Sequence, residues 1–205
     1  MRFAILSFFL LLLSCSPEND NRQSESIDKV VNIDTTAVVE AAKEITTASF
    51  KTLSSNLQKA MSEGGVSNAL EFCNIKAMPL TDSLASHYGI ELQRASHQPR
   101  NPVNKADSLE MIAIKEYIRN IEQGRELKPV TYTRENAIIY HAPIRIQGQL
   151  CLSCHGSPGT DISQSDVEII QELYPEDMAT GFEIGELRGI WSIQFPANYF
   201  NQEDK

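Results

Sequence analysis

The sequence is short of metal-ligating residues, with four cysteines and four histidines in 205 residues, and it has no excess of basic charge. A structural zinc site usually draws four Cys or His ligands from two separated pairs. Only Cys151 and Cys154 form a close pair; Cys73, His87, His97 and His141 stand apart from one another, which argues against zinc. Long apolar runs are missing too. The stretch from Phe3 to Leu13 is too short for a typical spanning helix. A formal net charge of −9 and a pI near 5.0 argue against nucleic acid and against electrostatic adhesion to anionic lipid. No internal repeat is visible. With 41% hydrophobic and 22% charged residues, the composition is that of one ordinary globular domain with a core large enough to enclose a cofactor.

What is present is Cys151-Leu152-Ser153-Cys154-His155. Two thiols at this spacing can add to the two vinyl groups of one porphyrin, and the adjacent imidazole can bind its iron from one side. At these residue frequencies the pattern arises by accident about 0.0015 times per chain. The expectation is one covalently held haem c; zinc, a simple disulfide or a chance match are the alternatives. Covalent haem attachment takes place outside the cytoplasm, and the N-terminus suits that. Met1 and Arg2 precede the apolar stretch, and Leu12-Leu13-Ser14-Cys15 resembles a lipoprotein cleavage box. Residues 1–14 are therefore expected to be a signal peptide, Cys15 the lipidated residue, 15–34 a polar, acidic tether and 35–205 the domain. An uncleaved anchor or a plain secretory peptide is the competing reading.

From Thr35, apolar residues recur at helical spacing until Gly64-Gly65 stops them. A second helix is expected from Ser67 or Asn68 to Gly89, with Asn68 and Glu71 as a capping box and a kink at Pro79. Leu70, Cys73, Ala77, Leu80 and Leu84 share one stripe of it, so Cys73 points inward. A lone cysteine there is usually a small buried hydrophobe. As a second iron ligand it competes with Met78, Met111, Met178, His87, His97 and His141. Downstream, the patterns predict a strand over 90–94, a proline-bearing loop over 97–104 and a helix over 107–121. A hairpin over 129–132 and 137–146, a helix over 164–173 and a closing strand over 185–195 follow. Helices followed by an antiparallel sheet with one embedded helix is an α+β order. Tyr140 and His141 are adjacent in a strand and must face opposite sides. Trp191, Phe195 and Tyr199 read as packing residues.

Several blocks together resemble the c-type haem proteins of PAS-like fold, a haem-binding family long catalogued as a domain of unknown function. They are Arg94-Ala95-Ser96 with Arg100-Asn101-Pro102-Val103-Asn104, Cys151 to Gly156, Tyr174 to Phe182, and Gly185-Glu186-Leu187-Arg188-Gly189. The resemblance covers nearly all of the chain after the leader. It implies a small antiparallel sheet with long N-terminal helices, and iron held between His155 and Cys73. His97 falls where the family pattern varies and is left as a loop residue. Arg94, Arg100 and Arg188 are candidates for the haem propionates, since guanidinium forks match carboxylates; surface ion pairing is the alternative.

Thiolate opposite imidazole places negative charge on iron and favours the ferric state. Iron filled on both sides leaves no open position, so an enzyme such as a peroxidase is disfavoured and no catalytic residue is assigned. The sequence thus points to an envelope-located, lipid-anchored mono-haem protein facing the periplasm or the outside, acting as a redox or diatomic-gas sensor. An electron-transfer cytochrome without a signalling role is the alternative. No transmitter sequence is recognisable, so a sensor would need a separate protein partner, and pairing of two copies through the long helices is possible.

Overall fold

The computed structural model describes residues 36–134 and 137–201. The expected signal peptide, Cys15 and the tether lie outside the described residues. Among the described residues no helix is long and apolar enough to cross a membrane.

The first element, α1 (Thr36–Tyr88), is two helices joined at the predicted glycine pair. Gly65 has φ +73° and ψ −161°, a combination open essentially to glycine alone. The non-helical dihedrals fall at Gly64 and Gly65 and none at Pro79, so the expected proline kink gives way to a glycine break. The expected Asn68 cap also takes another form. Its side-chain amide donates to the Ala60 carbonyl at 2.8 Å and thereby satisfies an acceptor that the break leaves orphaned.

Four strands form one antiparallel sheet in the order β1-β4-β3-β2: β1 (Glu91–Ala95), β2 (Val130–Arg134), β3 (Ala137–Arg145) and β4 (Leu187–Pro196). Strand alternation sends Leu92, Ile138, Tyr140, Ile193 and Phe195 to one face, against Val38, Ala42 and Ile45 of α1. The other face packs Ala95 and Ile190 on Ala113, Ile114 and Tyr117 of α2 (Ser108–Glu122). Trp191, Phe195 and Tyr199 pack in the α1 cluster, as expected. Asp107 and Glu110 close a capping box at the start of α2.

The motif lies on a short helix, α3 (Gln149–His155), that the periodicity does not predict; α4 (Gln164–Leu173) follows it. The result is the expected α+β fold. The first half of α1 covers the sheet, while the second half reaches α4 and the motif. Ser67 donates to Asp166 at 3.1 Å and Asn74 to the Leu173 carbonyl at 3.1 Å.

Candidate haem attachment site

Seven residues of helix carry both thiols and the imidazole, and the chain around them is fastened at several points. The Phe182 amide donates to the His155 carbonyl at 2.9 Å and the Gly181 amide to the Gly156 carbonyl at 2.8 Å. Gly156 is needed for a close approach, since a Cβ there would lie 2.5 Å from the Cβ of Asp161. Asp161 itself accepts from the Ser157 amide at 2.9 Å. Leu152 packs with Ile146, Ala179 and Phe182, and Cys151 lies against that cluster. Cys154 packs against a second cluster of Leu70, Ile162 and Ile170. Cys73, Cys151 and Cys154 are all free thiols and half-buried.

The imidazole is oriented for ligation. His155 Nδ1 lies 2.8 Å from the Ala179 carbonyl oxygen. That oxygen can only accept, so Nδ1 carries the proton and Nε2 keeps its lone pair. Burial pushes His155 well below the usual histidine range, and Arg188 and Arg100 act in the same direction. The ring is therefore neutral, the form that binds metal.

Arg100 holds this arrangement in place. It is 9% exposed. Its Nε donates to Asp177 Oδ1 at 3.1 Å and its Nη2 to the Cys154 carbonyl at 2.6 Å, with Asp177 Oδ2 and the Ala179 carbonyl each at 3.3 Å. Asp177 Oδ1 also accepts from the Ala179 amide at 2.8 Å. One guanidinium thus joins α3 to the segment that orients His155. With these donors committed to protein acceptors, Arg100 fits a positioning role better than the propionate contact expected for it.

Arg94 and Arg188 differ from Arg100. The Nε atoms of both are buried without a hydrogen-bond partner. Arg188 spends Nη1 on Ser96 Oγ at 2.9 Å and the Gln98 carbonyl at 3.0 Å, and its guanidinium lies 5.4 Å from the Phe182 ring centroid. Burial lowers the Arg188 pKa to about 9, helped by Arg100 and Arg94; Arg94 is lowered mainly by burial. Two buried donors without acceptors, in a cluster of three guanidiniums with one carboxylate, are matched by an anionic ligand with two acceptor groups. A haem's two propionates have that chemistry.

Cys73 comes to the same place. Burial raises its thiol pKa, while Arg94 and Arg100 act to lower it. It acts electrostatically on Cys154, whose pKa rises to about 11, mainly through burial. Four of its competitors stand elsewhere or exposed: His87 at the exposed end of α1, Met111 against the α2 cluster, Met178 56% exposed, and His141 on the α2 face of the sheet; Met78 is half-buried on α1, and His97 lies near the site. Tyr140 faces α1, so those two neighbours do point to opposite sides.

Sequence reasoning passed over three residues here. Phe182 lies edge-on to both His155 and His97, each pair with ring centroids 6.3 Å apart. His97, weighed as a second iron ligand and then left as a loop residue, has a buried Nδ1 without a partner and sits beside the site. Asp177 is the acceptor for Arg100. All three lie within or next to the blocks that carried the family resemblance, which was the available signal.

Fold and site define a class: a PAS-like α+β domain that presents two thiols and a metal-ready imidazole to a cluster of arginines. Residues 23–196 match the model of the Tll0287-like family, and the chain belongs to that family. The crystal structure of the cyanobacterial haem protein Tll0287 is similar to this fold, with 24% sequence identity and a TM-score of 0.57 over 77% of this chain and 96% of that one. Nothing matches among curated proteins.

Proposed function

We propose that this protein is a mono-haem c-type protein of the cell envelope that works as a redox or diatomic-gas sensor. Cys151 and Cys154 would hold the porphyrin covalently, His155 Nε2 and Cys73 would hold its iron, and Arg94 and Arg188 would receive the propionates. The observation that carries this reading is the His155 tautomer: Nδ1 is committed to Ala179, which leaves Nε2 free beside two unbridged cysteines. The haem bound by the relative Tll0287 supports the same ligand. Once bound, haem supplies a one-electron redox centre whose potential follows its axial ligands.

The chain's own residues suggest how such a centre would be read. Arg100 and Asp177 hold the Ala179 segment that orients His155, so this ligand is fixed in place. Cys73 lies on the second half of α1, between the break at Gly64-Gly65 and β1. If Cys73 holds the iron as a thiolate, reduction or protonation would weaken that hold, and release of Cys73 would free that part of the helix to move. The lipid on Cys15, the envelope location, the protein partner and the lack of enzymatic activity belong to the same proposal, on the sequence grounds given above.

Expression in a host competent for cytochrome maturation tests it. The expected product is coloured, keeps its pigment in acidified organic solvent, and loses thiolate character from its ferric spectrum in Cys73→Ala. A colourless protein or extractable pigment defeats the haem assignment; an unchanged Cys73→Ala spectrum removes the distal ligand. Rapid CO binding by the reduced protein with a change of shape favours sensing. Six-coordinate haem inert in both oxidation states favours electron transfer instead.

A further inference from the structure

The α2 face of the sheet carries a polar site that haem chemistry does not use. Strand register places Gln93, Ser192 and His141 in one cross-strand row, and Glu91, Gln194 and Ile139 in the next. These residues line a cavity of about 190 Å3 that the N-terminal turn of α2 closes with Asp107, Leu109 and Glu110. His141 is the one lining residue that is buried completely among the described residues. The side chain is fully buried, its ring lies tilted beside Tyr132 with centroids 5.5 Å apart, and neither ring nitrogen has a hydrogen-bond partner. Glu110, 3% exposed, accepts from the Asp107 amide at 2.9 Å and from Gln93.

A buried imidazole with two unsatisfied nitrogens is costly unless a ligand or water meets them. Three carboxylates (Glu91, Asp107, Glu110) and one guanidinium (Arg134) line the cavity, so the lining is acidic and rich in acceptors. Among the described residues no cluster of His, Cys, Asp and Glu could hold a metal ion, which points away from a metal cation. The volume lies below the roughly 300 Å3 of the smallest usual drug-sized sites and suits a compound of a few heavy atoms. We propose that this cavity binds a small organic ammonium compound, with the His141 ring accepting from the ammonium group and the carboxylates supplying the counter-charge.

Titration calorimetry of the full haem-loaded chain with ethanolamine, methylammonium and acetate tests the site. Saturable binding of the two amines, none of acetate, and a matching shift of the His141 ring nitrogen resonances are expected. His141→Phe, which keeps an aromatic ring and removes both nitrogens, should weaken amine binding at least about tenfold. Glu91→Lys alters only an exposed rim position and keeps the fold; it should weaken binding up to about fivefold. Absence of saturable amine binding to the wild-type protein, equal binding of acetate, or affinity unchanged in both variants would overturn the proposal. The haem spectrum is recorded separately, so failure of this site and failure of the haem assignment are told apart.

Discussion

The α1 face of the sheet and the motif end of the molecule are held by opposite means. Against α1 the sheet is dry: Leu92, Ile138, Tyr140, Ile193 and Phe195 meet Val38, Ala42 and Ile45, with Phe195 and Ile193 fully buried. Around α3 the apolar clusters are small, and one ion pair with its carbonyl contacts joins three segments. Apolar packing is tolerant of chemistry and defines no direction. The Arg100 network defines directions, because each donor must meet its acceptor, and a ligand imidazole needs its orientation fixed. Apolar packing is therefore concentrated in one region and directional geometry in the other.

The largest expected effects set these regions against each other. Phe195→Ala should cost about 3–5 kcal/mol through the cavity it leaves. Arg100→Ala should cost a similar amount, about 3–5 kcal/mol, because it strands the buried carboxylate of Asp177. Denaturant unfolding measures both. The absorption spectrum separates them: Phe195→Ala should keep the haem spectrum, while Arg100→Ala should broaden it and raise sensitivity to added imidazole as His155 loses its fixed orientation. Equal spectral change in both variants would erase the distinction.

The same contrast explains what the sequence made legible. The strands, the hairpin and α4 follow from alternation and helical spacing, which are local properties recorded in neighbouring residues. The glycine break was readable because two consecutive glycines interrupt a helical pattern. Helix α3 was not, since seven residues bearing two cysteines and a histidine have no apolar period to detect. Asn68 looks like a cap from its own neighbours, yet its side chain turns back to Ala60, eight residues away. Cys151, Cys154 and His155 announce themselves by spacing. The partnership of Arg100 with Asp177, 77 residues apart, is set by the fold alone, as are the meeting of His97 with Phe182 and the cavity at His141.

His141 gives the next effect in size and tests a third condition, a buried polar ring whose two nitrogens have no hydrogen-bond partner. Burial lowers its pKa from 6.5 to about 4, with Asp107 opposing. Because the folded value lies below the unfolded one, the unfolded chain binds the proton more readily. Stability is then fully present above about pH 6.5 and is lost as pH falls toward about 4, by about 3 kcal/mol in total. Unfolding free energies of the wild type and His141→Phe, compared between pH 7 and pH 4, should diverge by that amount. Parallel pH curves would show that His141 is not the group responsible.

Gly65 joins the two regions and carries the smallest effect. The first half of α1 belongs to the apolar face, and the second half runs past the motif before Leu84, Ala85 and Tyr88 return to the apolar cluster, so the angle between the halves bears on where Cys73 sits relative to His155. Gly64-Gly65 sets that angle. An alanine at 65 meets no atom within 4 Å, so any cost must come from the backbone. At φ +73° and ψ −161° a side chain costs about 2 kcal/mol, and part of that strain can be relieved by rotating the second half of the helix. Gly65→Ala should therefore lower stability modestly and also perturb the ferric haem spectrum, although the residue touches nothing at the site. A loss of stability with an unchanged spectrum would mean that the contacts to α4 through Ser67 and Asn74, and not the break, hold Cys73 in position.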